Sequence, residues 1–481
     1  MRLVLTHGHP LSHRVCTPSA PRGELRTKGK LLATLTLERE TAAAPLADRE
    51  AFLRVALLTA ATVAVGTLVG TFSSEKLLFL YKEQLHLSAG GLATFAILLA
   101  IPNYLRPFIG AGSDLFPLLG YHRRSYYALA SLTAALGFFG LSLTAHYTYL
   151  TTLLLVMVAV AGGVTLLIMA DAIMVTIGNK TGTVGRLQSV QMFTPYLLAL
   201  VFAARLGGYV TQNWSYAHCF QVAALLSLLF LPLIFLIDEK RVSAGQHVRE
   251  TPAEHAERLE AKRAERAQTT DALKKAARSP GLWVVVAYVF YLIFTPGTNT
   301  AQLYYAVDSL HFSKQFIGSL GQFLAAGVLL GILSFGAVSR KLPVIAVTLG
   351  AWLCDCSLYL INFALHDHFS AEVVAFVGGF SGILYSLCLY TLAARACPPH
   401  IEGTVYGLVI SAIAFAGALG EKVGGTLYDF YGPHSGYSTA HAWHALNGWG
   451  LALTIPAGLL ILLLPAWTKS RAPLSSKAEA S

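Results

Sequence analysis

The chain has 481 residues, of which 55% are hydrophobic and 12% charged, where a soluble domain carries about 25% charged residues. So little polar surface excludes a water-soluble particle of this size. The net charge of +10 gathers in one set of loops, which follows membrane topology and argues against a nucleic-acid partner.

Residues 1–50 are polar and basic and lack a long apolar core, so no cleavable signal peptide is evident; a disordered cytosolic tail is expected. Apolar runs follow near 54–81, 88–112, 125–147, 149–176, 183–207, 217–237, 281–305, 315–338, 343–364, 370–394, 401–427 and 444–467. Runs of about 20 apolar residues can cross a bilayer as helices, which satisfy their own backbone hydrogen bonds. The expected fold is therefore all-α and polytopic, with twelve transmembrane helices, spans 1–12, in two pseudo-symmetric six-helix bundles. The boundaries are a tail over 1–50, a bundle over 51–237, a cytosolic linker over 238–280, a bundle over 281–468 and a tail over 469–481.

One loop set holds Arg123, Arg124, Lys180, Arg186, Arg340, Lys341, Arg395 and ten Lys/Arg from Lys240 to Arg278. The opposite set holds little beyond Lys82 and Lys314. Both termini are therefore expected in the cytosol, the membrane being a bacterial inner membrane or its equivalent. Within the linker, Thr251, Pro252 and Glu254 have the spacing of a capping box, and Glu254 and Arg258 form an i,i+4 pair. A short charged helix on the membrane surface and a plain solvated linker both fit.

The halves repeat. "VGRLQS" at 184–189 leads to "ARLGG" at 204–208, and "EGTVYG" at 402–407 leads to "EKVGG" at 421–425. Gly185 and Gly403 are 218 positions apart, Gly207 and Gly424 217, so span 5 corresponds to span 11. Secondary transporters are commonly built from such repeats, with substrate between the halves.

Between spans 2 and 3, Gly110, Ser113 and Asp114 precede Gly120, Tyr121, His122, Arg123 and Arg124. This pattern resembles the loop signature of the major facilitator superfamily. Span 11 is expected to start near Pro398 and Pro399, placing its partly positive end at the same face. Asp114 against that end, with Arg123 or Arg124 donating to it, would latch the halves as a cytosolic gate. Simple positive-inside anchoring is the other reading. The loop after span 8, "SFGAVSRKLP", has no acid, so the latch would be one-sided.

The stretch "PNYLRPFIGAGSDLFPLLGYHRRSY" is similar to the span 2 signature of the folate–biopterin transporter family. Its matching positions are Arg106, Pro107, Gly110, Ser113, Asp114, Pro117, Gly120, Tyr121, Arg123 and Arg124. "ADA" at 170–172, "TPGTNTAQLYY" at 295–305 and "CPPHIEGTVYGL" at 397–408 look like that family too. The resemblance runs over roughly residues 55–465; it leaves the soluble tail unmatched and has Asn299 where an acid is expected. It implies transport of folate or pteridine, coupled to protons.

An ionisable residue at the bilayer centre costs roughly 2.5–3.5 kcal/mol on insertion scales. Arg106 in span 2 and Asp171 in span 4 lie at equal depth, where Pro102 and Pro107 loosen the helix. Arg106 is expected to take a carboxylate bidentately and Asp171 to couple protons; a permanent Arg106–Asp171 brace is the alternative. Glu75, Lys76, Arg205, Glu421 and Lys422 approach the outer face. They are expected to form an outer gate through pairs such as Glu75–Lys422 or Arg205–Glu421, against snorkelling to the interface. Span 7 is expected to break at Pro296-Gly297, exposing Asn299 and Gln302 for hydrogen bonds with Tyr304 and Tyr305 available for stacking. Gln188 and Gln191 share a face of span 5 and are further candidates for substrate contact. Asp355, near the middle of span 9, receives no assignment.

Six cysteines form no CxxC pair, and the histidines at 366, 368, 434, 441 and 444 read as loop decoration before metal ligands. Gly66 and Gly70 favour a close helix contact in span 1. No phosphate-binding loop, nucleophile–base pair or metal set emerges, so neither an enzyme nor a cofactor is expected. The expected partners are a small-molecule substrate and the lipid bilayer. A folate-type anion, another organic anion such as a peptidoglycan fragment, and a membrane assembly factor without turnover are the functions left standing.

Overall fold

The computed structural model describes residues 22–116, 118–181, 183–239, 278, 280–338, 344–396, 402–432 and 435–461. Residues 1–53 and 54–481 are two separate compact units. In the first, the chain is helical from Arg22, where the helix Arg22–Glu83 begins. Of the tail expected over 1–50, the part from Arg22 is described and is helical; residues 1–21 lie outside the described residues. The segment is basic, but Leu31, Leu32, Ala33, Glu38, Arg39 and Ala42 are all good helix formers.

Each of the twelve apolar runs contains helix among the described residues. Span 1 is the apolar stretch Arg49–Glu83 of the first helix. Span 2 comes in three pieces, Ala89–Leu99, Ile101–Tyr104 and Arg106–Leu115. Spans 3 and 4 are Arg124–Leu143 and Tyr149–Thr181. Span 5 runs Val184–Leu198, a π-helical turn Ala199–Ala203, then Ala204–Asn213; span 6 is Tyr216–Ser227, tightening to a 3-10 helix over Leu228–Leu236. Span 7 is broken into Pro280–Ile293 and Asn299–Asp308. Spans 8 to 12 are Lys314–Val338, Val344–Asn362, His368–Ala396, Glu402–Phe430 and Thr439–Ile461. Seven helices among the described residues are long and apolar enough to cross a membrane by length and composition. The linker helix expected near Thr251, His434, and the start of span 11 at Pro398-Pro399 lie outside the described residues.

The breaks have local causes. Pro102 and Pro107 sit in the first turns of the second and third pieces of span 2, where a missing N–H costs nothing. Span 7 breaks before Asn299, as Pro296-Gly297 predicts, and the open backbone finds partners nearby. Gly297 N donates to Gly420 O at 2.9 Å, and Tyr359 Oη donates to Pro296 O at 2.9 Å. The π-helical turn of span 5 follows Pro195 within the same helix and has no counterpart among the sequence expectations.

The repeat extends further than the glycine motifs. Spans 1 and 7 end in matching turns, Leu85-His86-Leu87-Ser88 and Leu310-His311-Phe312-Ser313, with His86 and His311 at φ 48° and 52°. Their backbone bonds also match: Leu87 N to Tyr81 O at 3.1 Å, and Phe312 N to Ala306 O at 3.0 Å.

The double glycines make two equivalent seams. A Cβ on Gly207 would lie 3.1 Å from Thr71 O of span 1, and one on Gly424 would overlap the Gly297 carbonyl of span 7; both contacts stay within a half. The next glycine faces the other half. A Cβ on Gly208 would lie 2.5 Å from Gln315 O of span 8, and one on Gly425 2.7 Å from Ala89 O of span 2. Gly425→Val is therefore expected to prise span 11 from span 2. A cysteine introduced at Thr67, inside the cavity described below, should then react faster with an impermeant thiol reagent added at this end.

Candidate functional site: a central cavity shut at one end

A cavity of about 650 Å³ opens among spans 1, 2, 4 and 5, with Gly318 and Gly321 of span 8 on its far wall. Its polar lining includes Thr67, Ser74, Glu75, Asn103 and Arg106. The helix irregularities face it as well, through Pro195 and Ala199 of span 5.

Arg106 and Asp171 are not paired. Arg106 Nη2 donates to Asn103 Oδ1 at 2.9 Å, one turn back across the break in span 2. Asp171 accepts from Gln191 Nε2 of span 5 at 2.7 Å. Arg106 therefore lines the cavity with no carboxylate in direct contact among the described residues, Asp171 being within electrostatic reach only. Gln188 is exposed near Gln191. In span 7, Asn299 Nδ2 donates to Glu421 Oε1 at 2.6 Å, and Thr300 N reaches Glu421 Oε2 at 3.3 Å. The acid expected at position 299 is thus supplied across the helix break by Glu421. Gln302 is half-buried, and Tyr305 is stacked on Trp443 with ring centroids 5.2 Å apart.

The charge pairs expected at the outer gate do not form. Glu75 lines the cavity and has no partner among the described residues. Lys76 Nζ donates to Thr211 O at 2.9 Å and Trp214 O at 2.5 Å, holding span 1 to the end of span 5. Arg205 is exposed, with no partner among the described residues. Lys422 Nζ donates to Gly90 O at 3.0 Å. Lys76, Glu421 and Lys422 each bond to another partner, on the side of the helix they face.

A different set shuts that end. Asp429 of span 11 accepts from Ala89 N at 3.2 Å and Gly90 N at 2.9 Å, capping the start of span 2. A carboxylate at a helix N-terminus contributes about 0.3–1 kcal/mol. Lys82 Nζ lies 2.6 Å from Asp308 Oδ2, and Lys314 Nζ 2.6 Å from Glu83 Oε1, both pairs joining the halves. Tyr304 Oη donates to Leu87 O, which commits this tyrosine to the closure. Lys422, Gly425 and Asp429 fall on one face of span 11 by i,i+3 and i,i+4 spacing; that stripe was readable in the sequence, though its target on span 2 was not.

At the opposite end the loop between spans 2 and 3 wraps around Glu239. His122 N donates to Glu239 Oε1 at 2.6 Å, and Arg123 N and Arg124 N each donate to Oε2 at 3.0 Å. Arg124 Nε donates to Ile237 O at 2.8 Å, and Arg123 Nη1 to Ser113 Oγ at 2.6 Å. The arginines thus tie the loop to its own half, at the end of span 6. The Asp114 side chain and the start of span 11 lie outside the described residues, so the latch between halves stays an expectation. Glu239 was not among the expected site residues, although an acid just after span 6 was its visible signal.

The two-half helical bundle, with its cavity and the contacts that join the halves at one end, is that of the major facilitator fold. A family model described as the BT1 family matches residues 68–479, and the chain belongs to that family. It is 26% identical over 368 residues to a folate-biopterin transporter of Synechocystis sp., covering 74% of this chain and 71% of that protein. It is 20% identical over 351 residues to folate transporter 1 of Plasmodium falciparum, covering 71% and 66%. Among solved structures it is similar to a point mutant of the nucleoside transporter NupG, with TM-score 0.64 and 12% identity, over 84% of this chain and 99% of that one.

Glu239→Ala removes the acceptor of three backbone N–H groups at the start of span 3. It is expected to cost on the order of 1 kcal/mol, as helix-cap losses do. A lower apparent melting temperature of the purified protein checks this; the Glu239→Asp variant should recover part of the loss.

Proposed function

We propose that the chain transports folate- or pteridine-type organic anions by alternating access, driven by a proton gradient. The observation that carries this reading is Arg106 in the cavity, hydrogen-bonded only to Asn103 among the described residues. A guanidinium at membrane depth that Asp171 reaches only electrostatically, with no direct ion pair, is costly, and an anionic cargo in contact with it lowers that cost. Arg106 and Asn103 take the cargo carboxylate, with Gln188 within the same half for further hydrogen bonds. The printed names of the relatives, folate-biopterin transporter and folate transporter 1, fit this cargo.

Asp171 is the proton-coupling acid of this reading, positioned by Gln191. Movement of span 5 against span 4 would break that bond and change the carboxyl's surroundings, which links its proton to the state of the cavity. Arg123, Arg124 and Arg186 stand at the end opposite the Asp429 closure, so the closed end faces outward and both termini face the cytosol. The latch of Asp114 on Arg123 and Arg124 belongs to the outward-open half of the cycle.

Proteoliposomes assayed with folic acid, tetrahydrofolate and biopterin test the reading. Arg106→Ala should lower initial uptake by roughly tenfold or more, the size of a lost charged hydrogen bond. Arg106→Lys should recover only part, since it keeps the charge without the fork. Uptake of all three compounds by wild type and Arg106→Ala alike would overturn the assignment. Asp171→Asn should make accumulation insensitive to an imposed pH gradient; retained sensitivity would remove Asp171 from the coupling role.

A further inference from the structure

The second half holds a buried acid that the cavity does not use. Asp355, in span 9, is 5% exposed. Its one hydrogen bond among the described residues is from Thr454 Oγ1 of span 12, at 3.3 Å to Oδ2. No Lys, Arg or His pairs with it among the described residues. Within electrostatic reach are the hydroxyls of Tyr288 on span 7, Tyr359 on its own helix and Tyr385 on span 10, with the thiols of Cys354 and Cys356 beside it. Glu421 of span 11 reaches only as far as Tyr359. Tyr359 Oη is committed to Pro296 O, at the break in span 7. The hydroxyls of Tyr288 and Tyr385 are buried with no hydrogen-bond partner among the described residues.

Two orphaned hydroxyls around one weakly bonded carboxyl are costly unless they serve another state. An unmade buried hydrogen bond costs about 1–3 kcal/mol, and a bare buried carboxylate more. The arrangement fits an acid that is neutral in this state and charged in another. When ionised, it would have Thr454 in contact and two tyrosine hydroxyls within electrostatic reach. A sodium ion fits less well, because a hard cation needs about six oxygen ligands and Asp355 has a single close polar contact here.

We propose that Asp355 is a second proton-binding site, on the C-terminal half, which holds a proton while the outer end is shut and releases it to water when that end opens. The path is short in the fold: Tyr359 links the Asp355 cluster to the carbonyl of Pro296, and Gly297 is fastened to span 11, the helix that carries Asp429. Opening the closed end therefore moves the span 7 break to which Tyr359, one turn from the acid, is tied. The inference rests on the proton-driven reading for its role in transport, but the protonation itself does not.

Infrared difference spectroscopy on purified full-length protein, titrated across neutral pH without any cargo, reads the protonation directly. Wild type should show the C=O band of a neutral buried carboxylic acid, lost in Asp355→Asn and shifted in Tyr288→Phe, which keeps the acid and the bulk. In proteoliposomes, Asp355→Asn should lose about tenfold or more of the folic acid accumulation driven by a pH gradient. A band unchanged in both variants overturns the site. A band lost as expected with no folic acid, tetrahydrofolate or biopterin transported by wild type upholds the site and sinks the cargo assignment. Should Asp355→Asn not fold, the Tyr288→Phe shift alone decides: an unmoved band overturns the proposal.

Discussion

Hydrocarbon offers no hydrogen bonds, so every backbone group that leaves a helix inside the bilayer must find a partner in the protein. That constraint decides where this chain can bend. The gap in span 7 between Ile293 and Asn299 is possible because Gly420 brings a carbonyl to Gly297 N and Tyr359 brings a hydroxyl to Pro296 O. In span 2 the pieces start near proline, which has no N–H to leave stranded. The consequence is functional: Asn103 and Arg106 stand at the break of span 2, and Pro195 and Ala199 at the irregularity of span 5, all on the cavity wall.

The closure at one end is made of many small terms. Carboxylate to helix N-terminus, ammonium to carbonyl and two part-exposed ion pairs each contribute about 1 kcal/mol or less. No single strong bond has to break for the halves to part, which suits the alternating access proposed above. Steric fit supplies the rest. Gly208 against span 8 and Gly425 against span 2 allow backbone contact at two related seams, and any larger side chain there would hold the seam apart.

Charge is divided between the halves in a way that follows this geometry. Arg106, Glu75 and Asp171 belong to the N-terminal half, with Arg106 and Glu75 on the cavity wall. Glu421 closes the break of span 7, and Asp355 lies behind it among tyrosines. Backbone at the span 7 break connects Glu421 and the Asp355 cluster to the helix that carries Asp429.

The amino-acid sequence by itself determined twelve apolar runs, the six-and-six division, the broken spans 2 and 7, and the glycine repeat that marks both seams. These are set by hydropathy over about 20 residues, by proline and by glycine, all of which act locally. It also singled out Arg106, Asp171 and Gln191. Tertiary structure alone decided the partners: Asp429 for the start of span 2, Glu239 for the 2–3 loop, Gln191 instead of Arg106 for Asp171, and Glu421 for Asn299. Such pairs depend on how helices cross and turn about their axes. Depth along a helix, which the sequence does encode, leaves the facing direction open, and a side chain bonds to the acceptor it faces.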